Sequence, residues 1–295
     1  MLLLDHTITT AKLGEPVYIL PVGCVHADDP GFRESMFAKY IERVEREPNL
    51  YFLGMGDYRN FLRATARRHL AVLKAKDQEA WRDLDAMVRH EALLFYKKWL
   101  EPIKHKVIGL LEGNHHHMMT DQTTDTQYMC GLGGFPYLTD LCMIRLRIGS
   151  ERRAMGVFKI LLHHGDWAAG SASMSSDVGQ VERKAAQFPL FDILIFSHTH
   201  RKWGMLLSPR LTIPERGELV TKEVPWVAVR TGCCVASYDN CLPHYAHKKL
   251  LPPTELGYVT LGIEFYRSYH AERYSKKKVA GSGSGNYRHK FTISY

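Results

Sequence analysis

The chain has 295 residues, of which 45% are hydrophobic and 24% are charged. These proportions are those of an ordinary globular protein, and they exclude a chain that is disordered throughout and a collagen-like chain. No apolar run reaches the roughly 18 residues of a membrane-spanning helix, and residues 1–16 lack the basic start of a secretory signal. The net charge of +8 suits a polyanionic or phosphorylated partner, and it equally suits a basic protein that is merely soluble.

Cysteine and histidine usage narrows the chemistry. The chain has six cysteines, and in a chain of this length without a secretory signal we expect them to be free thiols of a cytoplasmic protein. Of the 16 histidines, seven are bunched at 115–117, at 163–164 and at 198 and 200. Bunched histidines are typical of metal binding, because neutral imidazole is a common metal ligand.

Residues 1–140 predict strands that alternate with helices. Apolar, β-branched runs predict the strands, and apolar residues at helical spacing predict the helices. The predicted elements are a strand at 17–22, a helix between 30 and 47, a strand at 50–55, mostly helical residues at 61–104, a strand at 106–111 and a loop or short helix at 119–135.

The rest of the chain predicts mainly strands. The elements are a hairpin of strands 141–148 and 155–162, a helix around 178–188, and further strands at 191–196, 205–207, 226–230 and 258–265. This order favours an α/β fold in which a two-sheet β-sandwich is flanked by helices. From residue 268 the chain is polar and basic, so we predict one domain over 1–267 and a basic, partly flexible C-terminal tail over 268–295.

Five short polar blocks each follow a predicted strand. They are Gly23-Cys24-Val25-His26, Gly56-Asp57, Gly113-Asn114-His115, His164-Gly165 and Ser197-His198-Thr199-His200. Because ligands of α/β sheets gather beyond the carboxyl ends of the strands, we expect these blocks to converge. A single histidine at a strand end is more often a structural polar residue. Five such blocks in order, with Asp, Asn, His and Cys side chains, indicate a transition-metal site.

In this order the blocks resemble the motifs of the calcineurin-like metallophosphoesterase family. The family's motifs run Asp-x-His, Gly-Asp, Gly-Asn-His, a later His and Gly-His-x-His, and the resemblance covers about residues 17–265. The segments most similar to the family are KVIGLLEGNHHH, LLHHGD and FDILIFSHTH. The subgroup common in phages and prophages is the most similar, and residues 245–257 resemble that subgroup too.

The resemblance implies the two-sheet fold and a centre of two divalent metal ions, of manganese, zinc or iron. It implies that Asp57 bridges the two ions and that His115 protonates the leaving oxygen. The other implied ligands are His26 and His200 for the first ion, and Asn114, His164 and His198 for the second. The candidates for holding the phosphate group are Arg59, Arg201 and Arg230, which lie beside a motif or at a strand end, although arginines in such places are often structural.

Two positions depart from the family's motifs. Cys24 stands where the family has Asp, and Ser197 replaces the usual Gly. A Cys24 thiolate would be a ligand of the first ion and would favour zinc or iron. The alternatives are that Asp28 or Asp29 supplies an oxygen instead, or that Cys24 binds no metal and the first site is weak or empty.

Together these observations predict a hydrolase of phosphate esters with a dinuclear metal centre, acting on phosphodiesters such as DNA or RNA. One alternative is a phosphomonoesterase that acts on nucleotides or phosphoproteins. Another is a catalytically weak protein that binds nucleic acid, in which Cys24 marks the decay of the first site. The basic tail is either a nucleic-acid contact or a solvated terminus, and no membrane partner is expected.

Overall fold

The computed structural model describes residues 2–9, 15–61, 75–150, 153–165, 173–188, 190–212, 222–238, 253–267 and 287–295. Within these ranges the chain forms two β-sheets with helices on their outer faces. None of the helices in these ranges is both long and apolar enough to cross a membrane.

A five-stranded sheet carries the first motif blocks. Its strands, in spatial order, are β12 (Tyr287–Ser294), β11 (Thr260–Arg267), β2 (Val17–Val22), β3 (Leu50–Gly54) and β4 (Val107–Leu110). β2, β3 and β4 run parallel, so their carboxyl ends lie at the same edge of the sheet. β11 is antiparallel to its neighbours β2 and β12.

A seven-stranded sheet carries the later blocks. Its strands are β1 (Leu2–Thr9), β5 (Leu141–Ser150), β6 (Arg153–His163), β7 (Ile193–Phe196), β9 (Lys222–Cys233) and β10 (Gly257–Tyr258) in spatial order, with β8 (Lys202–Thr212) also paired to β9. β6, β7 and β9 run parallel, and β5 and β6 form the predicted hairpin.

The inner faces of the two sheets share one apolar core. Ile19 and Leu53 of the five-stranded sheet and Leu146, Ile160 and Val229 of the seven-stranded sheet belong to it, and none is more than 1% exposed. The parallel strands are covered on both faces, which explains why they are continuous apolar runs in the sequence.

The helices cover the outer faces. They are α1 (Glu34–Arg46), α2 (Gln78–Phe95), α3 (Asp125–Gly133) and α4 (Met174–Gln187); α2 continues into a π-helical turn at Tyr96–Leu100, and a 3₁₀ turn at Lys104–Lys106 precedes β4. α1, α2 and α3 pack on the five-stranded sheet, and α4 packs on the seven-stranded sheet. The predicted fold class, a two-sheet sandwich flanked by helices, is confirmed.

Local sequence explains the helices that pack nearest the motif loops. Phe37, Ile41 and Val44 lie four and three residues apart, so α1 buries one apolar face. α3 begins at a capping box formed by Thr124 and Gln127, in which each side chain accepts from the other residue's backbone N–H. The composition of residues 119–135 is compatible with either a loop or a short helix. The capping box explains why a helix forms.

Two strands are present that the sequence patterns do not predict, β1 and β12. β12 lies inside the segment predicted as a basic tail, and it pairs with β11 over its whole length. The pairing joins residues that are far apart in the chain, which local pattern cannot reveal. Residues 62–74 of the predicted helical stretch, residues 245–252 and residues 268–286 of the predicted tail lie outside the described residues, and the division into a domain and a tail stays a prediction.

Candidate metal centre

The predicted ligands all lie just beyond the carboxyl ends of parallel strands. They are Cys24 and His26 after β2, Asp57 after β3, Asn114 after β4, His164 after β6, and His198 and His200 after β7. Backbone hydrogen bonds join their loops: the N–H of Cys24 donates to Gly56 O at 2.9 Å, and that of Ser197 donates to His164 O at 2.8 Å. Between the two sheets, the N–H of His198 donates to Cys24 Sγ at 3.1 Å, so the loops of both sheets meet at one place.

The backbone at this place is strained. The predicted ligands with positive φ are Cys24 (50°), His26 (44°), Asp57 (56°), His198 (71°) and His200 (59°). Such a conformation costs a non-glycine residue of order 1–3 kcal/mol. Among the other described non-glycine residues only Gln122 and Thr139 adopt it. A concentration of strain at converging polar side chains is typical of a functional site.

The Asp57 carboxylate lies at the centre of the site and is 4% exposed. Its Oδ1 accepts the backbone N–H of His115 at 2.9 Å, and its Oδ2 lies 3.0 Å from His164 Nε2 and 4.0 Å from His26 Nε2. Burial raises the pKa of Asp57, but the neighbouring imidazoles of His164, His26 and His115 outweigh it, so the pKa lies well below its usual value. Asp57 is therefore a carboxylate at neutral pH. The absence of a Cβ at Gly113 makes this placement possible, since a side chain there would collide with Asp57.

His26 and His200 point their Nε2 atoms at each other across 3.2 Å. His26 Nδ1 donates to Asn60 Oδ1 at 2.7 Å, which leaves the Nε2 lone pair facing the site. Burial and the nearby His26 lower the pKa of His200 well below its usual value, so His200 is neutral at physiological pH. Neutral imidazole is the form that binds metals.

Cys24 is fully buried and lies between the ligands of both predicted ions. Its Sγ lies within 4.8 Å of ligand atoms of His26 and His200, and also within 4.8 Å of those of Asp57 and His164. Burial and the Asp57 charge raise the pKa of the Cys24 thiol well above its usual value. A nearby cation acts in the opposite direction, because it favours the thiolate.

Asn114, His164 and His198 form a second group of neighbouring side chains, and His164 contacts Asp57. Asn114 Oδ1 lies 3.0 Å from His198 Nδ1, and the rings of His164 and His198 have their centroids 5.3 Å apart. His164 Nδ1 donates to Met55 O at 2.8 Å, so that Nε2 is directed at Asp57. The structure brings these three residues together, and their role as a ligand set stays a prediction.

The donor set fits divalent metal ions. Imidazole nitrogens, one carboxylate and one thiol converge within coordination reach of common points, and second-layer acceptors fix the orientation of His26 and His164. Asp28 and Asp29 do not join this set: Asp28 accepts the N–H of Asn60, and Asp29 accepts the N–H of Gly31. In the described residues, the alternative in which either aspartate replaces Cys24 is therefore not favoured.

His115 lies beside the converging ligands. Its ring packs edge-on against that of His26, with the centroids 5.0 Å apart. The backbone N–H bond to Asp57 ties its loop to the carboxylate. His115 thus lies next to His26 and Asp57, and its role stays a prediction.

The three predicted phosphate-binding arginines are not equivalent. Arg59 forms an ion pair with Glu91 of α2, and Arg201 donates to the backbone oxygen of Ser173. Arg230 is fully buried, and its guanidinium donates to Asp177 at 2.8 Å and to Ser197 O at 2.7 Å. This burial does not favour the predicted contact of Arg230 with substrate. It indicates instead that Arg230 supports the loop after β7.

Several residues around the site were not predicted from the sequence. Asn60 orients His26, and Asp177 pairs with Arg230 and accepts the indole N–H of Trp203. The position of Asn60, three residues after Asp57 in the same loop, is the only sequence signal that could have indicated it. Asp177 carries no such signal, because only the packing of α4 on β9 brings it to Arg230.

The fold and the site together define an α/β sandwich protein with a candidate metal centre between its two sheets. No family model matches the chain, and no curated protein is significantly similar to it. The five described cysteines are free thiols, as predicted.

Among solved structures, the chain is similar to Vps29 from Entamoeba histolytica. A single mutant of that protein shares 12% identity at a TM-score of 0.39, covering 95% of this chain and 100% of that one. The wild type complexed with Zn²⁺ shares 13% identity at 0.39, covering 94% and 99%. A conserved uncharacterised protein from Streptococcus pneumoniae TIGR4, described as a predicted phosphoesterase, shares 12% identity at 0.33, covering 84% and 83%. Likenesses this remote assign no activity, so the function has to be inferred from this chain's own residues.

Proposed function

We propose that this protein is a metal-dependent phosphodiesterase with a dinuclear metal centre, and that it belongs with the phage and prophage subgroup of the metallophosphoesterases that its motifs resemble. The observation that carries the proposal is the convergence of the strained strand-end ligands on Asp57. The strain is concentrated at residues whose side chains have metal-binding chemistry, which a purely structural cluster does not require.

The residues of the chain divide the work of hydrolysis among them. Divalent metal ions, when bound, supply positive charge that polarises a phosphoryl oxygen and acidifies a water molecule. Asp57, His26, His200 and Cys24 would hold the first ion, and Asn114, His164 and His198 together with Asp57 would hold the second. Asn60 and the carbonyl of Met55 keep the imidazoles of His26 and His164 in the orientation that presents Nε2 to the site.

His115 would act as the general acid. An imidazolium at this place can donate its ring proton to the oxygen that leaves phosphorus. The proposed substrate is an anion, and the net charge of +8 favours the approach of a polyanion such as DNA or RNA. We therefore place phosphodiesters ahead of monoesters as substrates.

The test compares hydrolysis of bis-p-nitrophenyl phosphate and p-nitrophenyl phosphate in the presence of Mn²⁺. We expect faster turnover of the diester, loss of turnover on chelation and recovery when the metal is restored. Asp57→Asn removes the central charge at nearly constant shape, and we expect it to lower kcat/KM about 1,000-fold. Asp121→Asn, which alters an exposed carboxylate on the α3 side, is the matched control and should keep the wild-type rate.

The alternatives correspond to different outcomes of the same assay. Faster turnover of the monoester, with the same dependence on Asp57, would replace the diesterase proposal with a phosphomonoesterase. Binding of DNA or RNA in a gel, with no turnover of either ester in any of Mn²⁺, Zn²⁺ and Fe²⁺, would contradict the proposed enzyme and favour a binding protein.

A further inference from the structure

We propose that Ser197 and Thr231 are positioning residues that hold the Cys24 sulfur in place as a metal ligand and thereby make the centre selective for thiophilic metals. The inference rests on the proposed function, because Cys24 can act in this way only through a bound metal ion. Neither hydroxyl is itself a ligand or touches the substrate.

The geometry is a buried chain of hydrogen bonds that ends at the sulfur. The Thr231 hydroxyl donates to Ser197 Oγ at 2.9 Å, and Ser197 Oγ lies 3.2 Å from Cys24 Sγ. Thr231 Oγ1 also lies 3.2 Å from Gly232 O, the longer of its two contacts. When Thr231 supplies the proton between the two hydroxyls, the proton of Ser197 is left to donate to the sulfur.

The backbone adds a second donor to the same atom. The N–H of His198 donates to Cys24 Sγ at 3.1 Å. Cys24, Ser197 and Thr231 are each no more than 2% exposed, so water cannot substitute for these donors. When Ser197 also donates, the two hydrogen bonds fix the position of the sulfur and support it as a ligand when a cation is bound.

The sulfur is at the same time directed at the metal ligands. Cys24 Sγ lies within 4.8 Å of donor atoms of His26 and His200, and within 4.8 Å of those of Asp57 and His164. A thiol that merely filled space in a core would need neither these neighbours nor the two donors. Hydrogen-bond donors and metal-ligand atoms thus surround the same sulfur, as they do around a metal-bound thiolate that is supported by hydrogen bonds.

Contacts with Arg230 and Gly23 fix the position of Ser197. Its carbonyl oxygen accepts from the buried Arg230 guanidinium, and a side chain at Gly23 would collide with its hydroxyl. Cys24 and Ser197 are also the two positions at which the sequence departs from the motifs it resembles. These positions are 173 residues apart in the chain and are in direct contact in the structure. The two departures therefore act together: Ser197 positions the sulfur of Cys24.

The experiment is a titration of the metal-free protein with Co²⁺, followed by absorption. The visible d–d bands report binding of the metal, and a near-ultraviolet sulfur-to-cobalt band reports ligation by a thiolate. We expect the sulfur band in the wild type and its loss in Cys24→Ser. Ser197→Ala should shift the band to lower energy, because the sulfur lone pairs lose a hydrogen bond, and should weaken Cd²⁺ binding about 10-fold with little change for Mn²⁺.

Two substitutions of Thr231, at the end of the chain of hydrogen bonds, separate the loss of the hydroxyl from a general effect on folding. Thr231→Val removes the hydroxyl at nearly constant shape and should reproduce the shift of Ser197→Ala, whereas Thr231→Ser keeps the hydroxyl and should restore the wild-type spectrum. Thr260→Val, a buried threonine of β11, is the control for loss of any buried hydroxyl and should leave the spectrum unchanged.

The outcomes separate this inference from the proposed function. Absence of Co²⁺ binding in the wild type would overturn both. Binding without a sulfur band, or with a band that Cys24→Ser does not remove, would overturn the role of Cys24 and leave the metal centre standing. A sulfur band that Ser197→Ala and Thr231→Val leave unshifted would overturn the role of the two hydroxyls alone.

Discussion

The cluster around Asp57 and the ion pair between Arg230 and Asp177 are both buried polar groups, and both adjoin the loop after β7. In the ion pair, opposite charges face each other at 2.8 Å, both side chains are completely buried, and each has a further partner, Ser197 O for Arg230 and Trp203 Nε1 for Asp177. Around Asp57 the neighbours are imidazoles and a thiol, and the backbone is strained at five residues.

The comparison separates two kinds of buried polar group. The ion pair stabilises the fold, whereas the side chains around Asp57 are available for chemistry. A buried charge that faces its counter-ion and has a further hydrogen-bond partner does not need a ligand from solution. The converging donor atoms around Asp57 remain able to bind a cation. The free-energy cost of their strained backbone has to be offset by stabilising interactions elsewhere in the fold. The predictions below therefore expect loss of activity without loss of stability at the Asp57 cluster, and loss of stability at the ion pair.

The largest effect is expected for His115→Ala. Removal of the general acid should lower kcat about 100- to 10,000-fold, while metal binding and the free energy of unfolding stay near the wild-type values. Steady-state kinetics on the diester, with Co²⁺ titration as the check on metal binding, measures this. His105→Ala, an exposed histidine before β4, is the control. Equal rates in the wild type and His115→Ala would remove His115 from the mechanism.

The next effect is expected at the ion pair. Arg230→Met leaves the Asp177 carboxylate buried without its cation and should lower the free energy of unfolding by about 3–5 kcal/mol. Urea denaturation measures it, and Arg230→Met combined with Asp177→Leu should regain part of the loss. Arg43→Met breaks an ion pair with Glu47 that is half exposed, and should cost at most about 1 kcal/mol. If Arg230→Met lowers the free energy of unfolding no more than Arg43→Met does, the ion pair does not stabilise the fold as the comparison states.

Cys24→Asp should produce a smaller, selective change. Replacing the thiol by a carboxylate makes the ligand set harder, so the preference should move toward Mn²⁺ and away from Cd²⁺ and Zn²⁺ by about 10-fold in relative affinity. Competition between these metals, measured by calorimetry, tests it. Cys142→Ala changes a thiol of the inter-sheet core and should leave the preference as it was. An unchanged preference in Cys24→Asp would show that Cys24 is not a ligand.

The smallest effect is expected at the exposed Asp121. Hydrogen bonds from Thr123 and the ion pair with Arg89 lower the pKa of Asp121 to about 2. A carboxyl whose pKa is lower in the folded state stabilises the fold above its unfolded pKa of about 4, and this contribution is lost as the pH falls through the folded value. Asp121→Asn should therefore lower the melting temperature slightly at neutral pH, with a difference that narrows from about pH 5 downwards. A difference that is constant with pH would contradict the assignment.

The elements that could be predicted from the sequence are those whose pattern is local. The strands β2, β3 and β4 are apolar on both faces and end in glycine and polar blocks, so both their position and the edge at which the motifs meet follow from the residues themselves. β1 and β12 could not be predicted in this way, because each is an edge strand that owes its place to a distant partner. β12 in addition follows a basic, glycine-rich segment that is typical of a tail.

The sequence by itself determined the two-sheet class, the order of the motif blocks and the residue types that could bind metal, since each depends on neighbours along the chain. Only the tertiary structure decided which buried polar groups face one another. Arg230 is carried into a pair with Asp177, Asn60 is set behind His26, and Ser197 is set behind Cys24. These contacts join separate strands, helices and loops, and their geometry is fixed by sheet register and packing, which no local pattern encodes.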